Sequence, residues 1–364
     1  MDVEYLIVGS GLTGAVIARI LADAGCKVLV VERRRHIGGN VHDQKHESGI
    51  RYHTYGPHFF RTSSKEIWNF VRRFSSFYPF EAVVKTLVDG RLENWPVSAE
   101  YIERVVGSNW EPSFKGIPSD FEEKALSIMP MLVYEKLVKP YTEKQWGVEA
   151  SALVPELALR FDVRMDNEPR LARSTYQGLP VGGYTHFVNS MLLGIDVRLQ
   201  FDFLKHRNDI KAKKLVVFTG PIDAFFNYRL GRLKYRSQKR EFQFLEDADY
   251  SQPHPVVNNP SGYSRRIRTI EWKNLMQPHE QGRCGGTLLT HETPFTASDP
   301  DQFEYPFPDR QNLGLYEKYR QLAKDRPGVL VCGRLGEYRY YDMDHAIARA
   351  MHLAKLILQR RNHG

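Results

Sequence analysis

The chain has 364 residues, 42% of them hydrophobic and 26% charged, an ordinary globular balance that excludes wholesale disorder. That length suffices for about two domains with a substantial core. Lysine and arginine number 51 against 43 acids, and the net charge of +8 fits a nucleic-acid partner or a phosphorylated substrate equally well.

The N-terminus opens on "VEYLIVGSG", a strand-like run without the basic and cleavable features of a leader, so secretion is not expected and a cytoplasmic location is. Tyr5 to Val8 reads as a strand, Gly9 to Gly14 as a glycine turn, Thr13 to Ala24 as a helix and Lys27 to Val31 as a second strand. Gly38 to Gly56 reads as loops with short strands, and Ser64 to Phe74 has helical spacing. Tyr78 to Leu92 reads as two strands around an Asp89-Gly90 turn. Residues 98 to 160 are mostly helical in pattern, broken by proline and glycine, and 163 to 166 resume an extended conformation. Residues 214 to 220 and 328 to 334 each run from an apolar strand into glycine. Tyr263 to Lys273 alternates, and Met343 to Arg360 closes the chain as an amphipathic helix. No run approaches the roughly 20 apolar residues of a membrane span, so no membrane insertion is expected. Cys26, Cys284 and Cys332 are too widely spaced for a disulfide framework or a zinc site, and no metal is expected.

The first unit carries a specific chemistry. In "GSGLTG", Gly9 permits the tight turn, Gly11 lets a pyrophosphate approach the backbone, and Gly14 lets helix and sheet pack closely. The helix N-terminus then offers free N–H groups to the phosphates. Glu32 ends the next strand, where a carboxylate accepts hydrogen bonds from a ribose. Arg33, within the run 33 to 35, reads either as a phosphate contact or as a solvated face. Gly39 and Asn40, in "HIGGN", offer a second close approach of backbone. These features fit FAD or NAD. The continuation "VVERRRHIGGNV" resembles flavoproteins, in which a second glycine pair follows the ribose acid, and so favours FAD.

Across nearly its whole length the chain resembles the UDP-galactopyranose mutase family. The resemblance rests on "GSGLTGAVIA", "ERRRHIGGNV", "YGPHFFRT", "YTEKQWG", "YQGLPVGGYT", "TGPIDAFFNYRLGRLKYRS", "RTIEWKN" and "GRLGEYRYYDMDHAI", in that order. It implies an α/β fold: a Rossmann-like FAD-binding domain built from discontinuous segments, a helical insertion, and a substrate domain with a mixed or antiparallel sheet. The expected allocation is 1–77, 214–240 and 328–364 to the FAD-binding domain. Residues 98–160 form a helical substrate domain with a mobile loop, and 78–97, 161–213 and 241–327 a sheet-rich substrate domain.

The resemblance also implies an activity. N5 of reduced FAD attacks the anomeric carbon of a nucleoside diphosphate hexose and displaces the diphosphate. The sugar–flavin adduct opens, the 4-hydroxyl closes a five-membered ring, and the returning diphosphate releases the furanose. NADH or NADPH is the implied reductant, and a homodimer the implied assembly. Arg160 and Arg268 fall where the family clamps the diphosphate, a role that suits planar guanidinium forks. Tyr305, Tyr340 and Tyr176 match tyrosines lining the diphosphate or sugar, Tyr141 packs the base, and Trp146 lies beside the substrate. Asn94 is a further substrate-binding candidate. His58 matches a histidine beside the flavin. Gly220, Gly333, Arg334, Asp342 and Met343 fall on the cofactor side, with Asp342 also facing the sugar.

Taken alone, Arg160 would read as a surface arginine, Trp146 as core, His58 as a structural histidine and Asp342 as a helix cap. Two departures bear on the substrate. Arg61 stands where many members have a second histidine, which makes an altered hexose such as a 2-acetamido sugar plausible. Leu137 and Val138 replace a phenylalanine pair, one of which packs uracil in the family, leaving UDP, TDP and GDP open. The competing readings are a FAD-dependent oxidoreductase of the amine oxidase or desaturase type, and a basic nucleic-acid binder, for which no motif is found.

Overall fold

A computed structural model describes residues 2–361; position 1 and positions 362–364, at the ends of the expected FAD-binding segments, lie outside the described residues. Strand β1 (Asp2–Val8) runs into helix α1 (Leu12–Asp23) and strand β2 (Val28–Val31). The local sequence enforces that turn. Gly9 has φ +103°, and a Cβ on Gly14 would lie 2.0 Å from the Gly9 carbonyl oxygen, so only glycine lets α1 start this close to β1. A short antiparallel pair follows, β3 (Asp43–Lys45) with β4 (Arg51–His53). Next come β5 (Phe60–Thr62), helix α2 (Lys65–Val71) capped by the Ser64 hydroxyl, and β6 (Phe77–Pro79). Strands β7 (Val84–Val88) and β8 (Arg91–Trp95) form a hairpin. Asp89 and Gly90 both have positive φ, as a two-residue hairpin turn requires.

The middle of the chain is helical: α3 (Ala99–Val106), α4 (Phe121–Leu126) and α5 (Lys139–Trp146), the last preceded by a π-helical turn at Tyr134–Val138. Phe121, Tyr134, Leu137 and Val138 form its fully buried core. Strand β9 (Tyr176–Pro180) pairs with both β5 and β6, and helix α6 (Gly183–Met191) follows. The strands that follow are β10 (Asp196–Arg198), β11 (Lys211–Phe218), β12 (Tyr235–Leu245), β13 (Val256–Asn258), β14 (Arg268–Glu271), β15 (Thr287–Ala297) and β16 (Tyr305–Pro306). Helix α7 (Arg310–Lys324), β17 (Val329–Val331) and helix α8 (Met343–Arg361) complete the chain.

Two sheets organise the molecule. A five-stranded parallel sheet has the order β10-β2-β1-β11-β17, and a seven-stranded mixed sheet the order β16-β12-β15-β14-β13-β7-β8. The parallel sheet is the Rossmann-like core. Helices α1 and α8 pack together on it, burying Ala15, Ile17, Ile347 and Ala354 completely.

The structure moves two expected boundaries. Residues 196–198 pair with β2, so part of 161–213 lies in the parallel sheet and not with the substrate-side strands. Three residues at a sheet edge carry no alternation that a sequence reading could detect. Residues 235–240 belong to β12 in the mixed sheet, although 214–240 was allotted to the FAD-binding domain. Within Tyr263 to Lys273 only Arg268–Glu271 is a strand, because Trp272–Leu275 turns into a 3-10 helix. Among the described residues no helix is long and apolar enough to cross a membrane.

Candidate active site

Gly9, Gly220 and Gly333 follow the ends of strands β1, β11 and β17, at the carboxyl edge where parallel α/β sheets bind ligands. A cavity of about 690 Å³ starts there and extends beneath the mixed sheet. Its first part is a backbone cradle. A Cβ on Gly11 would have only the Gly39 Cα near it, at 3.9 Å, so Gly11 presents bare backbone to the cavity. Gly39 has φ +55°, and a Cβ there would come within 2.9 Å of the Gly11 Cα. The second glycine pair is therefore folded onto the first, with Gly38 N–H donating to the Ser10 carbonyl at 3.1 Å. No side chain caps the N-terminus of α1, which leaves its N–H groups to an anion. The Glu32 carboxylate accepts from Ser10 N–H (2.9 Å), Ser10 Oγ (2.8 Å) and Arg34 N–H (2.9 Å), which fixes it at the end of β2.

His58 lies farther along the cavity, and its Nδ1 is buried without a hydrogen-bond partner. Burial, together with His53, Arg334 and Arg240, holds its pKa well below the ordinary value. The ring is thus a neutral imidazole, and its orphaned nitrogen suits a polar group placed there by a ligand. Cradle, ribose acid and unpaired imidazole together fit a flavin dinucleotide. Gly9, Gly11, Glu32, Arg33, Gly39, Asn40, His58, Gly220, Gly333, Arg334, Asp342 and Met343 line the cavity. Gly14 acts from behind it, through packing.

The other part of the cavity is cationic and aromatic. Tyr305 and Tyr340 stack with centroids 5.8 Å apart and planes 9° from parallel. The Arg160 guanidinium carbon lies 3.7 Å from the Tyr340 ring centroid, and that of Arg334 4.5 Å from it. Such contacts orient a cation and leave its N–H groups available. Burial pushes the Tyr305 phenol up to about 12, so it remains a neutral donor. Arg61 and Asp342 pair across the cavity at 3.0 Å.

Arg268 is held from behind. Its Nε donates to Glu292, which is fully buried and also accepts from Arg240 Nε at 2.9 Å. Arg240 in turn donates to both oxygens of Glu304, at 2.7 and 2.9 Å. Strand register makes this row, since Glu292 on β15 lies opposite Arg240 on β12 and Arg268 on β14. The carboxylate raises the Arg268 pKa and keeps its guanidinium charged. Gly56, at φ +87°, closes over the row. A Cβ there would fall 2.8 Å from Glu292 Oε1 and 3.2 Å from Arg268 Nη2.

Several expected substrate residues lie elsewhere. Leu137 and Val138 are fully buried in the helical core, on the π-helical turn. Trp146 is buried against Phe307, with centroids 5.8 Å apart, which is the core role its chemistry alone would favour. Tyr176 stacks on Trp68 at 5.3 Å, because its position on β9 turns it toward α2. Asn94 accepts a hydrogen bond from Lys85 across the β7–β8 hairpin. None of these lines the cavity, whereas Tyr141 does. Sequence reasoning missed Trp95, Asn258 and Glu304, which line the cavity, and the Arg240 and Glu292 pair behind it. Register alone assembles that row, so spacing along the chain gave no signal for it.

Comparison with known proteins agrees with this geometry. Residues 136–340 match the family described as UDP-galactopyranose mutase, and residues 7–74 match the NAD(P)-binding Rossmann-like domain. A probable UDP-galactopyranose mutase from Klebsiella pneumoniae is 34% identical over 96% of this chain and 94% of its own length. A dTDP-fucopyranose mutase from Escherichia coli is 32% identical over 98% of each chain. Among solved structures, reduced UDP-galactopyranose mutase superposes with a TM-score of 0.76 at 15% identity, covering 98% of this chain and 95% of the other.

Proposed function

The chain belongs to the UDP-galactopyranose mutase family, and from that premise we propose that it contracts the pyranose ring of a nucleoside diphosphate hexose at a reduced flavin. It is an isomerase, a nucleotide-sugar pyranose/furanose mutase, and its family and Rossmann-type domain imply a flavin cofactor. The observation that carries the proposal is a single cavity joining the glycine cradle to the Arg160, Arg268, Tyr305 and Tyr340 cluster.

The glycine cradle and the uncapped N-terminus of α1 would hold the cofactor's pyrophosphate, and Glu32 its ribose. When bound and reduced, with NADH or NADPH as the proposed external reductant, a flavin would supply a nucleophile for the anomeric carbon. Arg268, kept charged by Glu292, receives the diphosphate as its negative charge develops. Arg160, oriented by the Tyr340 ring, would supply a second guanidinium to the diphosphate. Retaining the diphosphate matters as much as releasing it, because it must return to the same carbon after ring contraction. The neutral Tyr305 phenol donates to phosphate or sugar oxygens without adding charge. His58, also neutral, meets the cofactor with a hydrogen-bonding nitrogen and no proton to lose at neutral pH.

The test is chromatography of products from chemically reduced enzyme given a panel of UDP-, dTDP- and GDP-hexoses. Furanose product without net oxidation is the expected result. Oxygen consumption with an oxidised substrate, and no furanose from any sugar nucleotide, would overturn the proposal in favour of an oxidoreductase.

A further inference from the structure

We propose that Lys144 is a positioning residue: it clasps the loop between β13 and β14 to helix α5. The clasp fixes the gap between the Arg160 and Arg268 guanidiniums. The inference rests on the diphosphate reading above and adds the device that spaces its two cations. Lys144 does not itself line the cavity. Its Nζ donates to the carbonyls of Asn259 at 2.7 Å, Ser261 at 2.7 Å and Arg266 at 3.1 Å. An ammonium has three N–H donors, so this set uses them all and leaves none for a ligand.

The three carbonyls belong to one loop, and both ends of that loop are cavity residues. Asn258 closes β13 and Arg268 opens β14, opposite each other in register, and both line the cavity. Between them Ser261, Gly262, Tyr263, Arg265 and Arg266 are exposed. With so little of it buried, the loop owes its path to hydrogen bonds, and Lys144 supplies three of them. The other side of the clasp is fixed as well. Arg236 on β12 donates to the carbonyls of Gln145 at 2.7 Å and Lys144 at 3.2 Å, and Gln238 donates to Gln145 Oε1 at 2.8 Å. The last turn of α5, whose carbonyls lack partners within the helix, is thereby seated on the mixed sheet.

Helix α5 and Arg160 share one body. Trp146 packs in the same core as Leu157 and Ala158, just ahead of Arg160. One guanidinium therefore moves with the helical unit and the other with the mixed sheet. A diphosphate is short, so two guanidinium forks engage its oxygens together only at one spacing. Lys144 ties the helical unit to the loop that runs into Arg268, where that spacing is set.

Calorimetric binding of inorganic pyrophosphate to the full-length, flavin-loaded enzyme tests this, with the bound cofactor occupying the glycine cradle. Lys144→Met should weaken pyrophosphate about tenfold and leave the flavin dissociation constant and absorption spectrum unchanged. Arg160→Ala should weaken it about tenfold in the unsubstituted protein but less than about threefold in Lys144→Met, because two mis-spaced cations no longer act on one ligand. Fully additive losses would mark Lys144 as structural and overturn the inference, as would unchanged pyrophosphate affinity in Lys144→Met. If Lys144→Met loses its flavin, Lys144→Gln decides by the same cycle, because its amide keeps two donors and no charge. Additivity in that variant overturns the inference. If neither pyrophosphate nor UDP binds the unsubstituted enzyme, the diphosphate reading itself is refuted, and the inference with it.

Discussion

At Arg61 and Asp342 two opposite charges meet at 3.0 Å with side chains 29% and 38% exposed. A pair this open contributes at most about 1 kcal/mol to stability. The value of Arg61 to the protein is therefore the charge and reach it brings to the cavity. Arg61→His should leave the unfolding midpoint nearly unchanged and shift the relative turnover of 2-hydroxy and 2-acetamido sugars. An unchanged ratio would remove Arg61 from substrate selection. Buried histidines make a different prediction. Burial lowers the pKa of His42 to about 4 and of His53 to about 3. Their unfolded values lie near 6.5, so between these limits the unfolded chain binds more protons than the folded one. Stability is then complete above about pH 6.5 and declines on acidification toward pH 4. Melting temperatures taken between pH 7.5 and 5 should fall, and a flat or rising profile would contradict this. The residues readable from sequence were those with a local reason to be where they are. Gly9 and Gly11 belong to a turn whose geometry the spacing itself imposes, and Glu32 ends the strand that the unit requires next. Trp146 and Tyr176 carried no comparable signal, because the direction of one side chain depends on packing partners far along the chain.

Strands, more than single residues, build the end proposed for the diphosphate. Arg240, Glu292 and Arg268 meet because β12, β15 and β14 align in one register, and the partners are 24 and 52 residues apart. A shift of one residue in β15 would turn Glu292 to the opposite face, taking the carboxylate from Arg268 and leaving Arg240 with Glu304 alone. For that reason the row was invisible to a reading of motifs, although Arg268 itself was identified. The two-residue hairpin of β7 and β8 was legible, since Asp89-Gly90 states its own turn. Its last residue, Trp95, was not recognised as facing the cavity. Glu292→Gln tests the row. Breaking a buried pair by removing one charge costs about 3–5 kcal/mol, and the surviving Arg240–Glu304 pair places this case near the lower figure. Denaturant unfolding should show a loss of about 3 kcal/mol, accompanied by weaker nucleotide binding as Arg268 loses its orientation. A loss below about 1 kcal/mol, the range of exposed pairs, would mean that the row does not hold Arg268.

Over the whole molecule, the cofactor end and the substrate end must keep one geometry although they belong to different sheets. The segment from Asp299 to Phe303, between β15 and β16, crosses back to the parallel sheet and ties them. Arg33 pairs with Asp301 at 2.7 Å, Arg34 donates to the Asp301 carbonyl at 2.6 Å, and Asn40 reaches the Phe303 carbonyl at 3.4 Å. Glu304 and Tyr305 follow directly and line the cavity. These bonds are unequal. The Asp301 carboxylate is 49% exposed, so its pair with Arg33 contributes about 0–1 kcal/mol. Arg34 is only 14% exposed, donates also to Asn40 Oδ1 at 2.9 Å, and lies 4.4 Å over the Tyr55 ring. Charged hydrogen bonds in partly buried sites contribute about 1.5–3 kcal/mol, and a cation over an aromatic ring about 0.5–1. Arg34→Ala should therefore loosen the strap and raise the flavin dissociation constant about tenfold or more, at about 1.4 kcal/mol per decade. Asp301→Ala keeps the backbone carbonyl and should change it by no more than about threefold, a shift well under 1 kcal/mol. Flavin titration of the two apoproteins separates the cases. Equal weakening in both variants would mean that the exposed ion pair, and not the arginine bound to backbone, joins the two halves of the site.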